Sequence, residues 1–208
     1  MGLAADERRA LCDLFDEVGP DVPTLCGGWR SRDLAAHLAL RDRRPDAAAG
    51  IVLTPFAGYT ERVQRQIAER PWDDLVRLVR TGPPGWSPFR LPGVVEIVNG
   101  PEYLVHHEDL RRGRPDWTPR PPEPAREAAA WAAVRRIARL TYRRSPVGVV
   151  LRRPDGTETT AKRGPNTVAV IGAPTELLLH TFGRTEVQVT FDGDQHGIGI
   201  VQGLDRSF

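Results

Sequence analysis

Glu102 and His106 have side chains that can bind a metal ion, and they stand four positions apart in one predicted helix. At this spacing both side chains leave the same face of an α-helix, one turn apart. A carboxylate oxygen and an imidazole nitrogen placed in this way can bind one divalent cation, each at about 2.0–2.2 Å from Zn²⁺. The same spacing also suits an exposed helical pair that stabilises the helix by a few tenths of a kcal/mol.

A third ligand must come from elsewhere in the chain, and His37 is the best candidate. Ser31 is predicted to cap the N-terminus of its helix, and His37 then lies on or at the edge of the apolar face, until Pro45 ends the helix. Three protein ligands would leave one coordination position open, as in catalytic rather than structural zinc sites. The alternative is that His37 is a hydrogen-bonded histidine of the core.

Three further residues have side chains that can take part in chemistry near these ligands. His107 is predicted to support the site or to lie at the surface, about a quarter-turn from His106. Asp109 either orients a ligand or offsets the charge of nearby arginines. Cys26 could reach the site as a nucleophile, although a buried, inert cysteine is commoner.

The composition indicates a globular protein, with 40% hydrophobic and 27% charged residues among 208. The formal net charge of +2 does not favour a nucleic-acid partner. The N-terminal residues do not resemble a signal peptide, and no apolar stretch approaches the 18 residues of a membrane span. Two cysteines without metal-finger spacing are too few for a disulfide framework, so we expect a cytoplasmic protein.

The first two-thirds of the chain has the periodicity of helices. Helices are predicted over 2–18, from residue 31 to Pro45, over 55–69, from Pro71 to about Val79, over the segment that carries Glu102 and His106, and over 124–143. Asn99-Gly100-Pro101 either starts the Glu102 helix or kinks one that began near Val94. A bundle of four long helices with inward-pointing ligands is a recurring way to hold a metal ion.

After residue 145 the apolar residues alternate with a period of two, which is typical of strands. Residues 147–153 and 157–162 flank Pro154-Asp155-Gly156 and predict a β-hairpin. Further strands are predicted over 167–171 and 186–191, with a short helix over 174–182. We therefore predict an α+β protein with a four-helix bundle over residues 1–144 and a small α/β domain over residues 145–208.

These motifs resemble a known superfamily when they are taken together and in order. Trp29-x-x-x-Asp33-x-x-x-His37-Leu38, followed by Glu102-x-x-x-His106-x-x-Asp109-Leu110, is similar to the DinB-like bundle. It is similar, more narrowly, to the metal-binding domain of the mycothiol-dependent maleylpyruvate isomerase superfamily. Within that superfamily the Val-His-His-Glu-Asp segment is similar to an actinobacterial branch. Gly172-Ala-Pro-Thr-Glu-Leu-Leu-Leu179 and Gly183-Arg184 resemble the smaller C-terminal domain of the same enzymes.

The resemblance implies that His37, Glu102 and His106 are metal ligands and that mycothiol, a small sugar thiol, is the partner. A bound metal lowers the pKa of a thiol, so that the thiolate can attack an electrophilic substrate. The resemblance also implies that Arg184 faces the cleft, where a guanidinium could bind a carboxylate of the thiol or the substrate. The sequence departs from the pattern at Gly100-Pro101, which precedes Glu102 and could disturb its helix.

Two classes of function follow from these residues. The first is a metal-dependent enzyme that uses a low-molecular-weight thiol to isomerise a small electrophile or to transfer a group to it. The second is a metal-binding module without turnover, which senses metal or thiol or binds a protein. Hydrolysis by a metal-bound hydroxide is the least favoured, because the sequence offers no clear general base. Zn²⁺ is the preferred metal, while Ni²⁺, Fe²⁺ and Mn²⁺ also suit this donor set.

Overall fold

The computed structural model describes residues 2–48, 50, 54–87 and 95–206. Within these residues the chain forms nine α-helices and one four-stranded mixed sheet, which confirms the α+β class. The chain divides into two compact units, Met1–Pro119 and Arg120–Phe208. In the part of the chain described, no helix combines the length and the apolar character that crossing a membrane requires.

The first unit is helical. Its helices are α1 (Leu3–Val18), α2 (Ser31–Arg43), α3 (Pro45–Ala48), α4 (Ala57–Ala68), α5 (Trp72–Thr81) and α6 (Gly100–Arg111), with a 3₁₀ turn at Thr54–Phe56 and a π-helical turn at Val95–Asn99. Helix α1 packs against α5 and α6, and α2 packs against α4 and α5. Aliphatic side chains of α1, α2 and α5 form the core together with Phe15, whose ring meets that of Trp72 edge to face at 5.5 Å.

Helix α2 begins one residue away from its predicted cap. Arg30 occupies the cap position, and its backbone N–H donates to the Asp33 carboxylate at 2.9 Å. Ser31 is the first helical residue, and its hydroxyl donates to the carbonyl of Gly19 at 2.6 Å. The loop before α2 is thereby attached to the end of α1, which sets where His37 lies two turns later.

Pro101 lies in the first turn of α6, where its missing N–H removes no hydrogen bond that the helix needs. The π-helical turn runs directly into this helix. In an α-helix, the ring of a proline clashes with the carbonyl four residues earlier, which for Pro101 is the carbonyl of Ile97. Ile97 lies in the π-helical turn, whose backbone is wider than that of an α-helix and so leaves room for the ring. The predicted helix start near Val94 lies outside the described residues. Glu102 therefore follows Pro101 on a regular helix.

His107 is buried rather than exposed, because it lies where α6 packs against α1. Its Nδ1 lies 2.8 Å from Oε2 of Glu7, and both side chains are at most 7% exposed. This hydrogen bond joins two helices, so His107 faces a neighbouring helix while His106 faces another direction on α6.

The second unit contains α7 (Pro124–Thr141), a 3₁₀ turn at Tyr142–Arg144, β1 (Val149–Arg152), β2 (Glu158–Lys162), β3 (Val168–Gly172), α8 (Pro174–Thr181), β4 (Val189–Asp192) and α9 (Gln195–Gln202). The strand order is β2-β1-β3-β4. Strands β1 and β2 form the predicted antiparallel hairpin, β1 and β3 are parallel, and β3 and β4 are antiparallel. The hairpin turn uses Gly156 at φ +84°, a conformation that glycine adopts without strain.

The compact units divide upstream of the boundary that the sequence predicts near residue 145. Helix α7 packs against α8 and β2 and so belongs to the second unit. The change of periodicity at 145 marks a change from helix to strand, which need not coincide with a change of packing partner. Helix α9 lies beyond the last of the predicted strands.

His180 is buried in the second unit. Its Nδ1 lies 2.7 Å from the Tyr142 hydroxyl. Burial, with a smaller contribution from the Arg206 guanidinium, lowers the pKa of His180 to about 3. The folded protein therefore keeps this imidazole neutral at pH values where an exposed histidine is charged.

We predict that His180 destabilises the fold on acidification. Below about pH 6.5 this histidine is protonated in the unfolded chain but still neutral in the folded chain. The free energy of unfolding is therefore unaffected by His180 above that pH. It falls between about pH 6.5 and 3, by up to about 1.4 kcal/mol per pH unit. Denaturant unfolding with chelator present at several pH values measures this slope. His180→Gln should flatten it, whereas His196→Gln, at an exposed histidine, should not. Equal slopes in both variants and the parent would contradict the prediction.

Candidate metal centre

Three side chains from α2 and α6 bring their donor atoms to one place. Oε1 of Glu102 lies 3.4 Å from Nε2 of His37 and 3.2 Å from Nε2 of His106. The three donor atoms all lie within 4.8 Å of one another, and the two imidazole rings meet edge to face with centroids 5.2 Å apart. The spacing of the donors suits binding to a single cation.

The site is buried on the histidine side and partly open at the carboxylate. His37 is 7% exposed and His106 is 8% exposed, while 21% of the Glu102 side chain remains accessible. The Trp29 ring lies against His37 with centroids 5.2 Å apart, and it also packs on the core. Trp29 therefore belongs to the hydrophobic core of the first unit and also lines the site. A small ligand could approach through the opening at Glu102.

Asp109 contacts a candidate ligand. Its Oδ2 lies 2.9 Å from Nδ1 of His106, and its side chain is fully buried. Arg111 and Arg112 bind the carboxylate of the neighbouring Glu108. A carboxylate only accepts hydrogen bonds, so Nδ1 of His106 carries a proton. The imidazole orientation is thus set with Nε2 directed at Glu102, as in many metal sites.

Arg41 also belongs to this cluster, although the sequence did not single it out. Its Nε lies 3.4 Å from Oε1 of Glu102, and one terminal nitrogen donates to the Asn99 amide oxygen at 2.7 Å. It stands one turn after His37 on α2, and this i, i+4 spacing is the signal that could have identified it. The buried guanidinium offsets the negative charge of Glu102.

Cys26 lies beside Asp109. Its Sγ is 3.2 Å from Oδ2 of Asp109 and 3.8 Å from Nδ1 of His106. These three residues form a second group of potential ligand atoms that shares His106 with the first group. Cys26 is half-buried, whereas Cys12 lies in the core of the first unit, so the two cysteines have different surroundings.

The charges of the site are coupled. Burial alone would raise the pKa of Glu102, but the Arg41 guanidinium and the two imidazoles outweigh it and hold that pKa well below its usual range. Burial lowers the pKa of His37, and the hydrogen bond to Glu102 opposes this only in part. Glu102 is therefore ionised and His37 neutral near pH 7, the states that metal ligation requires.

His106 is the exception, because its neighbours favour the protonated ring. Burial would lower the pKa of His106, but its hydrogen bonds, above all to Asp109, raise that pKa well above the ordinary value. A cation bound at Nε2 would replace a proton there. Binding should therefore weaken on acidification, and Asp109 has to keep Nδ1–H in place while Nε2 loses its proton.

The geometry predicts that Asp109→Asn weakens metal binding by about 10–100-fold, because the neutral amide supports His106 less strongly than the carboxylate does. Competition with a chromophoric chelator measures the Zn²⁺ affinity. The matched control is Glu7→Gln, which changes the buried carboxylate that contacts His107. If Asp109→Asn binds as tightly as the control, Asp109 has no part in the site.

The fold is similar to those of two solved structures, the mycothiol-dependent maleylpyruvate isomerase and a histidine-to-alanine mutant of that enzyme. The TM-score is 0.61 for both, the sequence identities are 17% and 16%, and each match covers 91% of this chain and 90% of the other. At such identity the likeness concerns the fold. No protein-family model and no curated protein matches the chain in sequence. The resemblance that the sequence motifs indicate is confirmed at the level of the fold.

Proposed function

We propose that the protein is a metal-dependent enzyme that uses a low-molecular-weight thiol, such as mycothiol, to isomerise a small electrophilic substrate or transfer a group to it. The observation that carries the proposal is the convergence of His37, Glu102 and His106, with His106 oriented by Asp109. The similarity to the fold of a mycothiol-dependent isomerase supports the choice of thiol. We also propose that the first unit corresponds to the DinB-like bundle and that the protein acts in the cytoplasm.

The donor set fits a divalent cation. Two imidazole nitrogens and one carboxylate oxygen are the ligands of many catalytic zinc sites, and three protein ligands leave a position for an incoming group. Zn²⁺ is therefore our first choice, and Ni²⁺, Fe²⁺ and Mn²⁺ are compatible with the same donors. When bound, such a cation would supply Lewis acidity that lowers the pKa of a coordinated thiol.

The residues of the chain prepare the site for this chemistry. Glu102 contributes a full negative charge, because its carboxyl stays ionised. Asp109 fixes the proton of His106 on Nδ1 and so exposes the Nε2 lone pair to the site. The Trp29 ring against His37 limits the access of water from that side, and low water content strengthens electrostatic interactions.

Arg184 is our proposed contact for a carboxylate of the thiol or the substrate. It follows α8 in the second unit, where Gly183 has φ +82° and one terminal nitrogen of Arg184 donates to the Phe182 carbonyl at 2.7 Å. Together with Arg206 and Phe191 it lines a cavity of about 270 Å³. A guanidinium beside an aromatic ring suits a small organic anion. The buried Arg206 already donates to the backbone carbonyls of His180, Val201 and Leu204, so Arg184 is the contact that we propose.

We expect the purified protein to contain a stoichiometric divalent metal, and His37→Ala, Glu102→Ala and His106→Ala each to lose most of it. Elemental analysis of the four proteins makes the measurement. His107→Gln is the matched control, because it changes the neighbouring imidazole, which contacts Glu7 instead of the site. Full metal retention in all three ligand variants would rule out the metal centre.

With cobalt in the site, added mycothiol should change the visible spectrum and support turnover of an electrophile such as maleylpyruvate. Arg184→Gln should need about 10–100-fold more thiol or substrate, since hydrogen bonds to a charged group contribute about 1.5–3 kcal/mol. Arg163→Gln, at an exposed arginine of the same unit, is the control. A cobalt spectrum insensitive to thiol would instead favour a metal-binding module without turnover. An unchanged thiol and substrate requirement in Arg184→Gln would remove Arg184 from the proposal.

A further inference from the structure

One carboxylate oxygen in the first unit is shared by two side chains. Oδ2 of Asp109 lies 2.9 Å from Nδ1 of His106 and 3.2 Å from Sγ of Cys26. The imidazole N–H and the thiol S–H can both donate to this oxygen, because an ionised carboxylate oxygen has more than one lone pair. The Asp109 side chain is fully buried, so its orientation depends on protein donors more than on water.

The loop that carries Cys26 is held in place by hydrogen bonds within the loop. The Cys26 N–H donates to the Thr24 hydroxyl at 3.2 Å, and the Cys26 carbonyl accepts from the Trp29 N–H at 2.8 Å. The Thr24 N–H in turn donates to the Trp29 carbonyl at 3.1 Å, which closes the loop.

The same loop is attached to the helix that carries the ligands. The Leu25 N–H donates to the backbone carbonyl of Asp109 at 3.0 Å. Cys26 therefore follows a residue that is bonded directly to Asp109, and its sulfur is brought to the Asp109 carboxylate by fixed backbone geometry. Because the backbone already holds Cys26 in place, its side chain can hydrogen-bond to the carboxylate with little further loss of conformational entropy.

We propose that Cys26 is a positioning residue of the candidate metal centre, and this inference rests on the proposed function. Its thiol donates to Oδ2 of Asp109 and holds the carboxylate where it accepts the Nδ1–H of His106. That hydrogen bond keeps Nε2 of His106 directed at the other two donors. The chain Cys26–Asp109–His106 thus extends the support of the site from helix α6 to the loop before α2.

This role differs from the two other roles open to a cysteine here. A direct ligand would have to be a thiolate. It would place a second negative charge beside Asp109 and give up the proton that the carboxylate accepts. A nucleophile would likewise have to release this proton. The donor role uses the neutral thiol and leaves every contact of Asp109 with Cys26 and His106 as observed.

Zinc titration of the apoprotein, with a chromophoric chelator as competitor, tests the proposal in Cys26→Ala and Cys26→Ser. We expect about tenfold weaker binding in Cys26→Ala, at the low end of the effect of removing a support of a metal ligand. Cys26→Ser should bind within about threefold of the parent, because its hydroxyl can also donate. Cys12→Ala is the matched control, since it removes the thiol buried in the core.

Two further measurements separate positioning from a general loss of stability or from ligation. Unfolding of each apoprotein shows whether a weaker affinity merely follows a weaker fold, as it would if Cys12→Ala had the same effect on binding. The visible spectrum of the cobalt form should keep its intensity in Cys26→Ser and show altered ligand-field bands in Cys26→Ala. A sulfur-to-cobalt charge-transfer band that disappears in Cys26→Ala would identify a direct ligand and overturn the positioning role.

Parent-like affinity in Cys26→Ala would also overturn it, as would a Cys26→Ser variant as weak as Cys26→Ala. If the parent protein binds no zinc, the result overturns the proposed metal centre itself, and the inference about Cys26 falls with it.

Discussion

The hydrogen bond between His106 and Asp109 is the interaction on which the candidate site depends. It places a proton on Nδ1 and so leaves Nε2 as the nitrogen that faces Glu102 and His37. If the His106 ring were turned so that Nε2 faced elsewhere, only His37 and Glu102 would still offer donor atoms at the site. The bond is buried and charge-assisted, and such bonds are stronger than neutral ones and more damaging to lose.

Burial creates an electrostatic problem that the surroundings of the site offset. A mostly buried Glu102 carboxylate is unfavourable unless charge of the opposite sign is near. Arg41 provides such a charge at 3.4 Å, and the raised pKa of His106 provides another in the metal-free protein. A divalent cation that displaces the proton of His106 could supply this second positive charge in its place. The same cluster can therefore hold either protons or a metal, and pH should shift it between the two.

Residues related by helical spacing are predictable from the sequence, and contacts between a loop and a distant helix are not. The i, i+4 spacing of Glu102 and His106 predicts a shared face, and His37 on another predicted helix is the best candidate for a third ligand, as the superfamily resemblance also implies. The hairpin around Gly156 follows from alternation and a turn signal, and the structure contains it. The contact of Cys26 with Asp109 joins residues 83 positions apart through a loop whose hydrogen bonds follow from folding.

Two other differences have physical reasons of the same kind. Residue 145 marks a change of local period, but α7 packs on α8 and β2, and packing partners cannot be read from a local pattern. The sequence predicts that His107 supports the site or lies at the surface, about a quarter-turn from a candidate ligand, whereas Glu7 on α1 holds it between two helices. Adjacent residues of a helix face different directions, so one of the two histidines can serve the site and the other the packing.

The most direct test of the metal centre is an anomalous difference map from crystals grown with Zn²⁺, recorded on both sides of the zinc absorption edge. We predict one strong peak in the first unit, about 2.0–2.2 Å from Nε2 of His37, Nε2 of His106 and a carboxylate oxygen of Glu102. A peak bound elsewhere, or a map in which His37 lies away from the other two side chains, would contradict the account.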